Sequence, residues 1–353
     1  MERTKRIKVV TGLKCNIQCI FCYYRDSLKA PNRPFEEVRK DLLYARRHGI
    51  SEVDFSGGEP TIHPDLPRMI SEARSIGMEK VCIITNGLRL SHLPYLKQLK
   101  DAGLSEILFS VHGSHEKIHD EITDMKGSFK KITEALSNSA SVGLNIRMNT
   151  VVNRLNYNDL NAIGSFVLQF HPIQVNFITI NDWCFARHLV DRLMVRYSDM
   201  SYRLKEACDL LDRFVRAVNV RYIPFCFMVD YERFVCNHRQ VEFDPFEWLP
   251  RVRVRLEIQY NFFRYMGILG YGFLSGGVFK NIFRITMNDM LNESIVQALR
   301  HWNYTKHPNC RQCRFDEICD GVENTYAKQY GLQELTPDYG EKIHDPVFFR
   351  KQV

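Results

Sequence analysis

Six short runs rich in apolar and β-branched residues, each followed by a stretch with helical spacing, predict an α/β fold. The expected architecture is a partial (β/α)6 TIM-type barrel with a C-terminal cysteine-containing α+β extension. Three observations carry it: the regular alternation up to about residue 180, its failure after about 183, and two cysteine groups far apart in the chain. The 353 residues are 45% hydrophobic and 25% charged, which supplies a core and excludes a largely disordered chain.

The elements follow in order. The first strand runs from Ile7 to Leu13. Phe35 to His48 has helical spacing, with Val38, Leu42 and Ala45 on one face. Glu52 to Phe55 is a strand ending in Gly57-Gly58, followed by a helix from Leu66 to Ile76. Val81 to Ile84 is closed by Thr85-Asn86-Gly87, and a helix is expected from Leu93 to Ala102. Glu106 to Val111 ends in His112-Gly113. His115 to Val142 reads as helix with a break near Lys126-Gly127-Ser128. Asn145 to Val152 and Val175 to Ile180 are strands, with a helix from Leu160 to Gln169 between them. Such β-then-α units make a parallel sheet, whose chemistry gathers at the C-terminal strand ends. Cys15, Gly57, Gly58, Glu59, Asn86, His112 and Asn153 would fall there.

A boundary is expected near 183–200, dividing a core of residues 1–183 from an extension of 184–353. In the extension we expect a helix from Tyr202 to Val218 and a short strand from Val220 to Ile223. Arg251 to Leu256 alternates like a strand, and a helix from Met290 to Trp302 leads into the last cysteines. The net charge of +7, from 48 basic and 41 acidic residues, permits an anionic substrate but is not the footprint of a nucleic-acid binder. No apolar run approaches the roughly 20 residues of a membrane span, and no signal-like core precedes Cys15. The expectation is a cytoplasmic protein with no membrane partner. Eleven cysteines, an odd number, fit metal ligation better than a disulfide framework.

Cys15, Cys19 and Cys22 form C-x3-C-x2-C on the loop after the first strand. Three thiolates leave one iron of a four-iron cluster open to an exogenous ligand. A zinc site with a distant fourth ligand is the alternative, although zinc favours paired C-x2-4-C motifs. With Phe21 before its third cysteine, the motif resembles that of the radical S-adenosylmethionine (SAM) superfamily. The resemblance spans roughly residues 7–180. Gly57-Gly58-Glu59-Pro60 looks like the GGEP element that contacts the SAM amino group: glycines admit close backbone approach, and a carboxylate faces an ammonium. Alone it would read as a turn. The resemblance implies further SAM contacts at Phe21, Thr85, Asn86, the ribose-side Ser110, and the adenine-side Asn149 and Val151. A satisfied core asparagine fits position 149 equally well. His112-Gly113, His119-Asp120 and Gly127-Ser128-Phe129 resemble a run found in larger members. The implied cofactors are a [4Fe–4S] cluster and SAM, reductively cleaved to a 5′-deoxyadenosyl radical, with flavodoxin or ferredoxin as electron donor.

Cys310, Cys313 and Cys319 form C-x2-C-x5-C, suited to zinc or iron–sulfur. Beside the first motif, the spacing resembles the auxiliary-cluster regions called SPASM and twitch. The seven cysteines of a full SPASM region are absent, so one auxiliary [4Fe–4S] cluster is expected. Its fourth ligand would be Cys226, held after the rigid Pro224, or alternatively Cys236; an open site is a third arrangement. Cys82 and Cys208 read as small buried hydrophobes. Cys184, and Cys236 if not a ligand, are candidate catalytic thiols that could return a hydrogen atom, or else packing residues. Asp182, in Asn181-Asp182-Trp183, could meet a polar substrate or cap a helix. Arg251, Arg253, Arg255 and Arg264, interleaved with aromatics, could bind a phosphate or RNA or form a solvated face. The expected reaction is hydrogen abstraction from a small polar metabolite of sugar, aminoglycoside or nucleoside type, giving dehydrogenation or epimerisation. A ribosomal peptide maturase ranks second, since few residues precede Cys15 to form a peptide-binding wing. RNA modification and a zinc-stapled binding module rank below.

Overall fold

A computed structural model describes residues 6–22, 24–25, 28–180, 192–237, 240 and 303–350. The expectations for Cys184, Asp182 and its neighbours, the Arg251–Arg264 stretch and the helix at 290–302 lie outside the described residues. Within them, strands β1 (Arg6–Val10), β2 (Glu52–Ser56), β3 (Lys80–Thr85), β4 (Glu106–Ser110), β5 (Asn145–Val152), β6 (Gln174–Thr179) and β7 (Ala217–Arg221) form one sheet in sequence order. Every neighbouring pair is parallel. The crossovers are helices α1 (Phe35–Arg47), α2 (Leu66–Ser75), α3 (Leu93–Asp101), α4 (Glu116–Thr123), α5 (Ser128–Ser141), α6 (Leu160–Leu168) and α7 (Tyr197–Leu211). This is the expected partial barrel with one strand more than the six expected. The seventh lies beyond residue 183, so the sheet continues past the expected boundary.

The seventh strand is the one expected from Val220 to Ile223; it starts three residues earlier, within the helix expected to run to Val218. Phe214, Val215 and Val218 extend the helical spacing past Leu211, yet Val218 and Val220 are needed on the apolar face of β7, where both are buried. The chain therefore leaves helix after Leu211.

Alternation along the strands sorts the two faces. Val9, Phe55, Ile83, Phe109, Met148, Phe177 and Val220 belong to one buried hydrophobic cluster with Leu42 of α1, Met69 of α2 and Leu136 of α5. Each such large side chain contributes about 1.5–3 kcal/mol on burial. The other face is polar and carries Lys8, Asp54, Glu106, Ser110, Arg147, Asn149, Asn176 and Asn219.

At the β2–β4 side of the polar face, buried carboxylates meet guanidiniums. Asp54 Oδ1 lies 2.5 Å from Arg6 Nη1 and 2.8 Å from Arg147 Nη2. Glu106 Oε1 lies 3.0 Å from Arg6 and 2.6 Å from Arg147. Burial alone would raise the Asp54 pKa, but Arg147, Arg6 and Lys8 outweigh it and hold the carboxyl at about 2. Cys82, 3.1 Å from Arg147 Nη2, completes the cluster. Asp54, Cys82 and Glu106 are spaced like metal ligands, but two guanidiniums already take that role.

The break between α4 and α5 has a specific cause. Asp124 and Gly127 both adopt positive φ, 54° and 80°. The Asp120 carboxylate accepts bonds from Gly127 N, Ser128 Oγ and Phe129 N, closing the first turn of α5. The His-Asp and Gly-Ser-Phe run is thus a helix junction.

The extension packs onto the same core. A two-stranded antiparallel ribbon, β8 (Tyr304–Thr305) with β9 (Val322–Glu323), encloses the loop bearing Cys310, Cys313 and Cys319, and helix α8 (Asn324–Tyr330) follows. Phe315 stacks on Phe225, ring centroids 5.2 Å apart, and Tyr326 on Tyr197 at 4.3 Å. Val235 bridges in parallel to Val220, beside the β7 edge.

Candidate active site

The Cys15–Cys22 loop leaves the end of β1 and is fastened along its length. Cys15 N donates to Leu28 O, Ile20 N to Ile122 O, and Cys22 N to Cys19 O. Arg25 reaches back to the carbonyls of Gln18, at 2.8 Å, and Cys19, and pairs with Asp124 at 3.1 Å. The three thiols share a field. Burial pushes Cys15 up to about 12, with Glu59 and Cys22 adding to the rise. Cys19 is raised further by burial and by Cys22 and Cys15, and Cys22 is raised by burial. Crowded, desolvated thiols with one missing ligand are a donor set that a cationic cluster fits, because metal binding removes the protons that burial holds.

Gly57 and Gly58 are needed for close approach, but to this loop. A Cβ on Gly58 would lie 2.2 Å from Lys14 O and 2.3 Å from Leu13 O; one on Gly57 would lie 2.1 Å from Gly12 O. Gly58 N donates to Gly12 O and Glu59 N to Lys14 O, at 2.9 and 2.8 Å. The Glu59 side chain is buried, and both carboxylate oxygens are engaged. Oε1 accepts from Thr61 N, Thr61 Oγ1 and Thr85 Oγ1, and Oε2 from Asn86 N. Burial raises its pKa against these four donors. The carboxylate is thus a strut between β2 and the end of β3. Pro60 opens the short turn Pro60–Ile62 that presents Thr61 to it.

Thr85 and Asn86 carry the strut onward. Asn86 Nδ2 donates to Asn16 Oδ1 at 2.8 Å and lies 4.0 Å from Cys15 Sγ. Phe21 stands edge-on to His112, centroids 4.7 Å apart, and His112 Nδ1 accepts from Val151 N. Burial and His119 hold the His112 pKa well below 6.5, so its ring is neutral. Ser110 pairs in register with Asn149, whose Oδ1 accepts from Asn176 Nδ2 at 2.7 Å. Both are half-buried on the polar face. The strand ends thus bring Gly57, Gly58, Glu59 and Asn86 against the cysteine loop that carries Phe21, with Pro60 and Thr85 at Glu59 and Ser110, Asn149 and Val151 on the strands beyond.

The second cysteine set lines a small pocket bounded by Cys226, Cys310, Cys313 and Cys319 with Lys306 and Phe315. Cys226, on the short turn after Pro224, is raised by burial and then by Cys319, Cys310 and Cys313. Gly321 N donates to Cys319 Sγ at 3.4 Å, a bond made possible by a φ of 86° and by the absence of a Cβ that would strike Thr305 O at 2.3 Å. Four thiols around one pocket are enough ligands for a four-iron cube; no three of them lie within the 4.8 Å of one another that marks the Asp54, Cys82 and Glu106 group, which is wider than a single zinc ion needs. Cys236 does not line it; its N–H is spent on Val220 O. Asn16, Thr61, Arg25 and Gly321 were not singled out in the sequence. Arg25, three residues after a cysteine triad, was the one legible signal, a cation beside a thiolate group.

Residues 9–167 match the model of the radical SAM superfamily. The chain is 31% identical over 217 residues to a probable GTP 3′,8-cyclase of Sulfolobus acidocaldarius, covering 58% of this chain and 65% of that protein. It is 34% identical over 152 residues to the Fe-coproporphyrin III synthase of Methanosarcina barkeri, covering 42% and 37%. The chain therefore spans less than two-thirds of these curated relatives. Among solved structures, Streptococcus suis SuiB bound to S-adenosylmethionine superposes with a TM-score of 0.58 at 14% identity, over 97% of this chain and 77% of that one. That likeness is one of fold, and it includes the extension. Fold, cysteine loop and family model agree that residues 9–167 are a domain of the radical SAM superfamily.

Proposed function

We propose that the chain is a radical SAM enzyme that removes a hydrogen atom from a small polar metabolite, with a nucleoside-type substrate favoured. The observation that carries the reading is the docking of the three-cysteine loop on Gly58 and Glu59. It leaves three crowded thiols at the mouth of a polar half-barrel. Cys15, Cys19 and Cys22 would hold a [4Fe–4S] cluster with SAM, and Cys226, Cys310, Cys313 and Cys319 an auxiliary cluster. Bound at these sites, the groups supply a 5′-deoxyadenosyl radical and a one-electron acceptor. The protein's own part is positional. Glu59, through Thr61, Thr85 and Asn86, fixes the SAM-side backbone; Ser110, Asn149 and Val151 line the adenosine side; Arg25 holds the loop carbonyls.

The nucleoside preference draws on the relatives named as probable GTP 3′,8-cyclases. A dehydrogenation also needs a second electron and a proton to leave the substrate, and a four-thiol site offers the electron a destination. Cys236, outside the cavity, is a candidate hydrogen-atom donor for an epimerising outcome. A second reading, peptide maturation, rests on the fold likeness to SuiB bound to precursor peptide SuiA over 98% of the chain. A low-potential flavodoxin or ferredoxin would supply the electron.

The test is anaerobic reconstitution, reduction with dithionite, and chromatographic detection of 5′-deoxyadenosine from SAM. We expect formation by the wild-type chain and none by Cys22→Ala. A wild-type protein loaded with iron that never cleaves SAM would refute the proposal.

A further inference from the structure

Arg350 ends the short turn Phe348–Arg350. Phe349 beside it packs against Phe225 and Phe315, at 6.1 and 5.9 Å, which pins the segment between the auxiliary cavity and the β7 edge. Arg350 Nη2 donates to Asn219 Oδ1 at 2.8 Å. Asn219 Nδ2 donates to Asn176 Oδ1, and Asn176 Nδ2 to Asn149 Oδ1. These residues share one register row with Ser110 on the polar face. The guanidinium therefore reaches the half-barrel's polar face, and its Nη1 is buried there without a hydrogen-bond partner among the described residues.

We propose that Arg350 binds an oxyanion of the substrate, a carboxylate or a phosphate, inside the half-barrel; this deepens the radical SAM reading and rests on it. A buried, unpaired donor on a cation is costly, and the fork of a guanidinium matches the two oxygens of an oxyanion. The surroundings favour the same ligand. The row beside Arg350 is made of neutral amides. The buried carboxylates of the polar face, Asp54 and Glu106, are both held by Arg6 and Arg147 on the far side. Ser110 and Asn219 stand three strand spacings apart, roughly 14 Å. A small metabolite would span from the SAM side to Arg350, with its anionic end against β7.

The experiment measures binding of inorganic pyrophosphate and of acetate by calorimetry to reconstituted wild type, Arg350→Gln and Asn219→Asp. Iron content and SAM affinity are recorded for each. Asn219→Asp places a carboxylate on the guanidinium and satisfies it internally, so it tests the site even if Arg350→Gln folds poorly. We expect wild type to bind at least one probe and both variants to lose it at least tenfold at unchanged SAM affinity. Preference for pyrophosphate assigns a phosphate, and preference for acetate a carboxylate. Equal probe affinity in the variants, or no probe binding by wild type, overturns the proposal. A wild-type protein that fails to bind SAM removes the reading beneath it, and the proposal with it.

Discussion

Replacing Glu59 by glutamine separates a structural strut from a direct SAM contact. The carboxylate takes three donors on Oε1 and one on Oε2. The amide would keep its carbonyl oxygen on the three-donor side and turn its NH2 toward Asn86 N–H. One charge-assisted bond is lost, and a buried N–H is left facing another donor. That costs about 2 kcal/mol, partly offset because a neutral group no longer bears the burial that raises the carboxyl pKa. The loss is local, so the assay is amide hydrogen exchange at Asn86 in cluster-loaded protein without SAM. A change of about 2 kcal/mol in local opening is roughly a 30-fold faster exchange. SAM affinity should fall with it, because the same strut holds Asn86 near Cys15. If Glu59 instead acted only on the SAM ammonium, affinity would fall while exchange at Asn86 stayed at the wild-type rate. That result would refute the strut.

Two further expectations can be checked directly. In a background with Cys15, Cys19 and Cys22 changed to alanine, Cys226→Ala should remove most of the remaining iron and sulfide and Cys236→Ala should not; equal loss would place Cys236 in the ligand set. His119 is held neutral by burial, its pKa lowered from 6.5 to about 4 despite Asp120 beside it. Between those values the unfolded chain binds a proton that the folded chain refuses, so stability falls as pH drops from 6.5 to 4, by about 3 kcal/mol in full. Urea midpoints across that window should fall less steeply in His119→Gln, and parallel curves would contradict the assignment.

What was legible in the sequence was whatever repeats or clusters locally. The strands and helices up to residue 180 follow from periodicity, because one face of each element must be buried: Val38, Leu42 and Ala45 are buried as the spacing of α1 requires. The cysteine sets were legible because thiols at such spacing have few other uses. The strut was not legible. Glu59 and Thr85 read as SAM contacts implied by the resemblance and Thr61 carried no signal, and only the sheet brings the β2 and β3 ends together. The same holds for Gly57 and Gly58, whose need for close approach could be read, but not the partner approached. The start of β7 was obscured because Val215 and Val218 continue a helical pattern, and its pairing with β6 has no local signature. Arg350 carried no signal, since its meaning depends on Asn219 more than a hundred residues earlier.

The two cysteine sets differ in the one property that decides their use. The first offers three thiols from a single eight-residue loop, so its geometry is fixed by what the loop is tied to: Gly58, Glu59, Arg25 and Asn86. The second draws Cys226 from beside β7 and three thiols from the ribbon loop, so it forms only when the extension is docked on the barrel. Phe225 next to Cys226 stacks on Phe315 between Cys313 and Cys319, and Phe349 packs on both rings. The aromatic contact that assembles the four-thiol site is therefore the one that brings Arg350 to Asn219. Loss of Cys226 acts on the metal alone, whereas Phe315→Ala loosens the metal site and the guanidinium together. Iron content and oxyanion affinity should accordingly fall in parallel in Phe315→Ala and separately in Cys226→Ala, which is the signature of a shared support instead of a shared ligand.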